Sequence, residues 1–551
     1  MNRQFNRLEG VNIVDIHRRE TFFGNLQWRD GVITDIERLG PEQEGARCLI
    51  PGLIDAHVHI ESSMLTPAEF GRIACRHGTV ASVSDPHEIA NVLGVSGVRF
   101  MVDNARRSPF RVFWGAPSCV PATAFETAGA ELEADDIEQL FASGDAVYLS
   151  EMMNFPGVLS GDAGVHAKLA LAHRRKLPVD GHAPGLRGEA LRQYVAAGIG
   201  TDHECTTLEE AEEKIAAGMC IQIREGSAAR NFDTLHPLIA RWPDKVMFCS
   251  DDKHPDELLE GHIDRLLARA VALGHDVHDV LRCASLNPVR HYNLPMGLLA
   301  LGERMDAVEV DDLKDFRVRR TWVGGRLVAC DGESLLEPVP VEPVNRFATT
   351  PFAADDFRVP WWHGDAARQL RVIEVIDGEL LTRECRLAPR CEGGQVLPDI
   401  DRDVLLLAVV NRYHKAPPAL AFVRGFGLRQ GALASSVAHD SHNIVAVGVS
   451  AAAVCAAVNE VIAHRGGIAA VAPDGVHSLP LPVAGLMSDR DGDRVGQAYA
   501  QLQALGQRLG SPLRAPYMTL SFMALLVIPE LKLSDQGLFD GRTFNFVDLS
   551  A

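Results

Sequence analysis

The first stretch of the chain, to about Cys48, alternates apolar and polar positions in short runs broken by turn residues, as in FFGNLQWRDGVITDIERLG. A period of two predicts half-buried strands. The same texture returns near Ala307–Val328, where DAVEVDDL and RRTWVGGRLV surround a Gly-Gly turn. Between these pieces the pattern changes. Short, mostly apolar runs (CLIPGLIDAHVHI, GTVASVSDP, FRVFWGAP, AVYLSEMMN, LPVDGHAP, GIGTDHE, MCIQIREG and KVMFCSDD) alternate with helical stretches such as HAKLALAHRRK, GEALRQYVAAG, LEEAEEKIAAG and PDELLEGHIDRLLARAVALG. Strands buried on both faces read as apolar runs of this kind. About eight such units in about 250 residues match the size and rhythm of a (β/α)8 barrel. A doubly wound open sheet is the alternative, but no G-x-G-x-x-G follows the first strand.

After the Pro-rich junction LLEPVPVEPVNRFATTPF, strands (LRVIEVIDGELL, DVLLLAVVN, NIVAVGVS, GGIAAVA) mix with helices near Ala451–His464 and Val495–Leu509. The predicted architecture is therefore α/β. A TIM-type barrel spans residues 49–299, a small β-sandwich is built from both flanks (1–48 and 300–342), and a further α/β or α+β domain occupies 343–551.

With 54 Lys and Arg against 73 Asp and Glu, the chain carries a formal charge of −19. That surplus of acid disfavours broad binding to nucleic acid or to anionic membranes. The 11 cysteines are scattered without C-x-x-C spacing, which fits free thiols in a reducing compartment rather than a disulfide framework or a Cys-based zinc site. The N-terminus lacks an apolar core of signal-peptide length, and no window of about 20 residues is uninterruptedly apolar. A cytoplasmic location is expected.

Candidate chemistry gathers at strand ends, where barrel enzymes keep their active sites. His57-Val58-His59 closes the first apolar strand, and alternate residues of a strand face the same way. The fourth strand ends in Ser150-Glu151-Met152, the fifth in Asp180-Gly181-His182, the sixth in Asp202-His203-Glu204 and the eighth in Ser250-Asp251-Asp252. Each alone has a plain structural reading as a cap or a satisfied core histidine. Five strand ends agreeing point to a site for divalent metal. His87-Glu88 follows the second strand, where Glu88 either favours a helix N-terminus or, with His87, serves substrate contact, proton relay or an additional metal. His439-Asp440-Ser441-His442, far downstream, is read as a structural or interface segment rather than a triad, because triad members come from separate segments.

The segments PGLIDAHVHIESSM, SDPHEIANVLG, EMMNFPGVL, DGHAPG, GTDHE and CSDDKHPDEL resemble those of adenine deaminases in the amidohydrolase superfamily. So do ASLNPVRHYNL, VRGFGLRQGALASSVAHDSHNIVAVG, LPLPVAGLMSD and YMTLSFMALLVIPELKLSDQGL, so the likeness covers nearly the whole chain. NRYHKAPPALAFV departs from it, since members usually carry a Gly-rich stretch there. The resemblance implies a two-metal site, with His57 and His59 on one ion and His182 and His203 on the other. It implies Glu151 as the bridging carboxylate and Asp251 beside the first ion. Manganese or iron is expected as readily as zinc. The implied reaction is hydrolysis of adenine to hypoxanthine and ammonia in purine salvage, a metal-bridged hydroxide attacking C6 while Asp251 shuttles the proton. His87 and Glu204 join as catalytic candidates, and Glu88, Glu204 and Asp252 as substrate contacts. The alternative is an amidohydrolase acting on another aminopurine or a cyclic amide. A homo-oligomer, taken as a dimer, is expected.

Overall fold

The computed structural model describes residues 6–361 and 369–551. Its centre is eight parallel strands, each buried at its carboxyl end. They are β1 (Leu53–Val58), β2 (Thr79–Ser84), β3 (Arg111–Ala116), β4 (Tyr148–Met152), β5 (Val179–Gly181), β6 (Thr201–Asp202), β7 (Cys220–Arg224) and β8 (Val246–Cys249). β1 to β5 form one curled parallel sheet and β6 to β8 another, each in sequence order. Backbone hydrogen bonds cross both seams. Gly200 N donates to Val179 O at 2.9 Å beside β5 and β6, and Asp251 N donates to His57 O at 2.9 Å where β8 meets β1. The carboxyl ends of the strands thus open on one side.

The connecting helices start where capping chemistry predicts. Asp162 accepts from Val165 N ahead of helix Ala163–Arg175, and Thr207 accepts from Glu210 N ahead of Leu208–Ala216. Two elements differ from the sequence expectation. PDELLEGHIDRLLARAVALG forms two helices, Pro255–Glu260 and Ile263–Ala272. The break at Gly261-His262 lets the His262 ring turn inward, Nε2 lying 2.9 Å from Asp55 Oδ2. CLIPGLIDAHVHI likewise divides at Gly52, where a Cβ would stand 2.4 Å from Val80 Cγ2. Cys48–Pro51 joins the flanking sheet, and Leu53–Val58 becomes β1.

That flanking sheet unites both ends of the central block. Its strand order is Glu333–Ser334, Arg326–Cys330, Val318–Val323, Ala307–Val310, Cys48–Pro51, Asn6–Asp15, Glu20–Arg29 and Val32–Pro41. It is one continuous sheet rather than the two layers of a sandwich. It rolls over until Ile33 N donates to Glu303 O at 2.8 Å and Trp28 meets Trp322 edge to face at 6.2 Å. Leu26, Ile33, Leu49 and Met305 fill the interior.

The C-terminal part centres on a second eight-stranded sheet, antiparallel except where Leu370–Val375 pairs in parallel with Ala419–Arg424. Helix Ala451–Ala463 covers one face, and helix Gly492–Arg508 packs against Pro255–Glu260 of the central block. Two of its loops, around 436–443 and 522–530, lie over the open ends of the parallel strands. No helix among the described residues is long and apolar enough to cross a membrane.

Candidate active site

Glu151, at the end of β4, stands at the centre of the histidines. Its Oε1 lies 3.3 Å from His59 Nε2 and 3.4 Å from His87 Nδ1, while Oε2 lies 2.8 Å from His182 Nδ1 and 3.1 Å from His203 Nε2. One carboxylate therefore straddles two sets of imidazoles. Asp251 Oδ1 sits 3.3 Å from His59 Nε2 and 3.6 Å from His57 Nε2. The rings of His57 and His203 stack at 4.2 Å. His57, His59, Glu151, His203 and Asp251 are buried, and His182 nearly so.

These donors fit a divalent metal. Both ring nitrogens of His57 and Nδ1 of His203 are buried without a hydrogen-bond partner, which costs about 1–3 kcal/mol for each unsatisfied group. Three-residue groups drawn from His57, His59, Glu151, His203 and Asp251 place their ligand atoms within 4.8 Å of one another. Imidazole nitrogen and carboxylate oxygen without thiolate suit first-row divalent ions. His59 Nδ1 lies 3.1 Å from the Asp85 carbonyl, which fixes that nitrogen as the donor and turns Nε2 toward Glu151 and Asp251.

The backbone aims Asp251. Its amide donates to His57 O, its carbonyl accepts from His59 N at 3.2 Å, and its φ of 54° lies in the left-handed region. Non-glycine residues rarely adopt that conformation, and it concentrates at functional positions. A buried network supports it from below: Ser250 N donates to Asp55 Oδ1 at 3.0 Å, and the Ser250 hydroxyl and the His262 ring both meet Asp55 Oδ2.

Arg224, which ends β7, did not stand out in the sequence, although a charged residue closing the buried run CIQI was the available signal. Its guanidinium grips Glu204 through both terminal nitrogens and donates to Asp251 Oδ2 at 2.5 Å. Burial alone would raise the Asp251 carboxyl, but Arg224 and the imidazoles of His57 and His59 hold it well below the usual carboxylate range. Burial likewise opposes the Glu151 charge, and His182, His203 and His59 overcome it.

On the opposite side His87 and Glu88 open helix His87–Leu93. Asp85 caps that helix through His87 N and also meets His87 Nδ1 at 3.0 Å. Despite burial, Asp85 and Glu88 raise the His87 imidazole well above its ordinary value. Glu88 is held from across the molecule: His439 Nδ1 is 2.6 Å from Oε1, and His442 Nε2 meets Oε2. Asp440 Oδ1 lies 4.0 Å from His87 Nε2, and burial pushes its carboxyl up to about 6. This segment, expected to be structural or to form an interface, places His439 and Asp440 in the cavity lining and His442 against Glu88. The segment around Arg412 and Tyr413 anchors it. Arg412 donates to His442 O at 3.3 Å, and Tyr413 OH donates to Ser441 O at 2.6 Å. Asp252 accepts from Ser62 Oγ at 2.5 Å while its own carbonyl accepts from Ser227 N, so it ties the β8 loop to its neighbours. His59, His87, Glu88, Glu151, His182, His203, Glu204, Asp251 and Asp252 all line one cavity, and His57 sits beneath it.

Comparison with known proteins agrees with this geometry. Residues 48–328 match the amidohydrolase family, and residues 379–545 match the adenine deaminase C-terminal domain. The chain belongs to the amidohydrolase family, within its adenine deaminase branch. It is 56% identical over 538 residues to an adenine deaminase of Salinibacter ruber, covering 97% of each chain. It is 52% identical to one from a Sulfurovum species, covering 98% of each. A Methanosarcina barkeri adenine deaminase is 48% identical over 548 residues, with 98% of this chain and 99% of that one aligned.

Proposed function

We propose that this chain is a metal-dependent adenine aminohydrolase, converting adenine and water to hypoxanthine and ammonia. The observation that carries the reading is the convergence of four imidazoles and two carboxylates, from the ends of β1, β4, β5, β6 and β8, around Glu151 and Asp251. Full-length relatives bearing that name support the choice of substrate. On this reading the parallel strands form one closed (β/α)8 barrel from Leu53 to about residue 299, the chain on either side of it, Cys48–Pro51 included, forms the small β unit, and the C-terminal part closes the mouth.

His57, His59, His182, His203, Glu151 and Asp251 would hold two divalent cations, manganese or iron first and zinc as a further fit to the same donors. When bound, such a pair ionises water near neutral pH and so supplies the nucleophile for C6 of the purine. The chain's own side chains do the rest. Asp251 takes a proton from the attacking water and returns it to the departing amine, acting as general base and then acid. Arg224 keeps that carboxylate ionised and aimed. Glu204, held by the same guanidinium, orients a ring nitrogen of the purine. Glu88 meets the substrate from the other side, His87 relays a proton under the control of Asp85, and Asp252 braces the loop at the substrate's edge. Incubating metal-replete protein with adenine, and following hypoxanthine and ammonia, tests the reading. Turnover no greater than in the metal-free control, or turnover confined to cyclic amides in a substrate panel, would overturn it.

A further inference from the structure

The polar residues of the cavity can act on a reacting carbon, but a heteroaromatic ring also draws much of its binding from apolar walls. Such a wall comes from the far end of the chain. Leu380, Phe522, Leu525, Val527 and Ile528 line the same cavity as the imidazoles and carboxylates. Phe522, Leu525 and Ile528 belong to a small buried cluster of their own with Ala515 and Met518, and Leu380 and Val527 pack against it. The Phe522 ring already stacks on His439 at 4.9 Å and 28°, so an aromatic platform stands at the cavity wall.

Two separate segments make this wall, one around Leu380 and one around Phe522, and the Lys532 side chain bridges them. Lys532 is wholly buried. Its ammonium donates to Leu380 O at 2.7 Å and to Phe522 O at 3.0 Å. No carboxylate among the described residues pairs with it, and burial pushes its pKa down to about 7. A buried cation without a counter-ion is costly, and an apolar residue of similar length would remove the cost. What such a residue could not do is satisfy two facing carbonyls at once. The adjoining backbone is tied in the same place: Thr382 Oγ1 donates to Leu531 O at 2.8 Å, and Thr382 N to Pro529 O at 3.1 Å.

We infer that the Leu380–Phe522–Leu525–Ile528 wall is the face on which the planar ring of the substrate lies, and that Lys532 is the positioning residue that clasps its two halves together. This rests on the reading of the substrate as a purine. Aromatic and aliphatic walls give ring ligands most of their binding energy, while a few polar groups orient them. The wall acts on binding and not on bond breaking, so its loss belongs in KM and in Kd rather than in kcat.

Lys532→Met, Lys532→Gln and Phe522→Leu separate these roles. The first removes the clasp, the second keeps an amide able to donate to both carbonyls, and the third leaves the clasp and removes the platform. Two quantities are read with metal content matched to the native protein: kcat and KM for adenine, and the Kd of unsubstituted purine, which has no amine to lose, by calorimetry. Lys532→Met and Phe522→Leu should each raise KM and weaken purine binding about tenfold while kcat changes less than about threefold, the pattern of lost uniform binding. Lys532→Gln should recover part of that loss. Should Lys532→Met fail to fold, the comparison of Lys532→Gln with the native protein carries the clasp, and a few-fold rise in KM and Kd is expected. Unchanged KM and Kd in the Lys532 variants overturn the clasp, and an unchanged Kd in Phe522→Leu overturns the platform. Native protein that binds purine but leaves adenine intact would refute the proposed reaction, not the wall.

Discussion

Replacing Arg224 by Met tests how Asp251 is kept charged and how Glu204 is held beside it. Arg224, Glu204 and Asp251 are 6%, 4% and 3% exposed, and the one guanidinium serves both carboxylates. Removing one member of a buried ion group typically costs about 3–5 kcal/mol, because a charge is left without its partner. If that cost fell wholly on the transition state, kcat/KM would drop by about 10^2 to 10^4, at 1.36 kcal/mol per factor of ten. Any share borne by the ground state should appear as reduced resistance to urea. Arg224→Lys restores the charge without the planar fork that grips Glu204, so it should recover only part of the loss. The assay is kcat/KM for adenine on preparations of equal metal content, alongside urea unfolding. A Met variant within about threefold of the native kcat/KM and equally stable would show that the carboxylates do not depend on Arg224.

Asp251→Asn should keep much of the bound metal yet lose about 10^2-fold or more in kcat, the usual scale for a lost general acid–base; near-normal turnover would move the proton shuttle elsewhere. His59→Ala should fail at an earlier step, with less metal retained after dialysis, measured by elemental analysis; full retention would remove His59 from the ligand set. His439 is raised to about 9, chiefly by Glu88 working against burial. An imidazole raised on folding binds its proton more tightly in the native state, so its contribution to stability is complete below about 6.5 and disappears as pH climbs past 9. Urea midpoints should therefore fall more steeply between pH 7 and 9 in the native protein than in His439→Ala, and parallel pH profiles would contradict the ion pair with Glu88.

The parts visible in the sequence were those with local signatures. Each of the eight apolar runs became a parallel strand, because a strand covered on both faces has few polar positions. His57 and His59 were legible through strand periodicity, and Glu151, His182, His203 and Asp251 through their places at strand ends. What stayed hidden depended on contacts far apart in the chain. Nothing near Glu88 announces that His439 and His442, some 350 residues on, grip its carboxylate. Arg224 closes an ordinary apolar strand, and only the folded chain brings Glu204 and Asp251 against its guanidinium. The division at Gly52 is set by Val80 on a neighbouring strand, and the break at Gly261-His262 by Asp55, more than 200 residues upstream. Lys532 lies within the residues that match the adenine deaminase C-terminal domain, but its significance is two carbonyls contributed by other positions.

Elemental analysis and an adenine assay on one preparation test the central claim most directly. Protein reconstituted with manganese or iron should hold about two ions per chain, the count expected for a two-metal hydrolytic site, and should release hypoxanthine and ammonia in equal amounts, with both properties lost on chelation and regained together. Full turnover after the metal has been stripped, or two bound ions with adenine untouched, would contradict it.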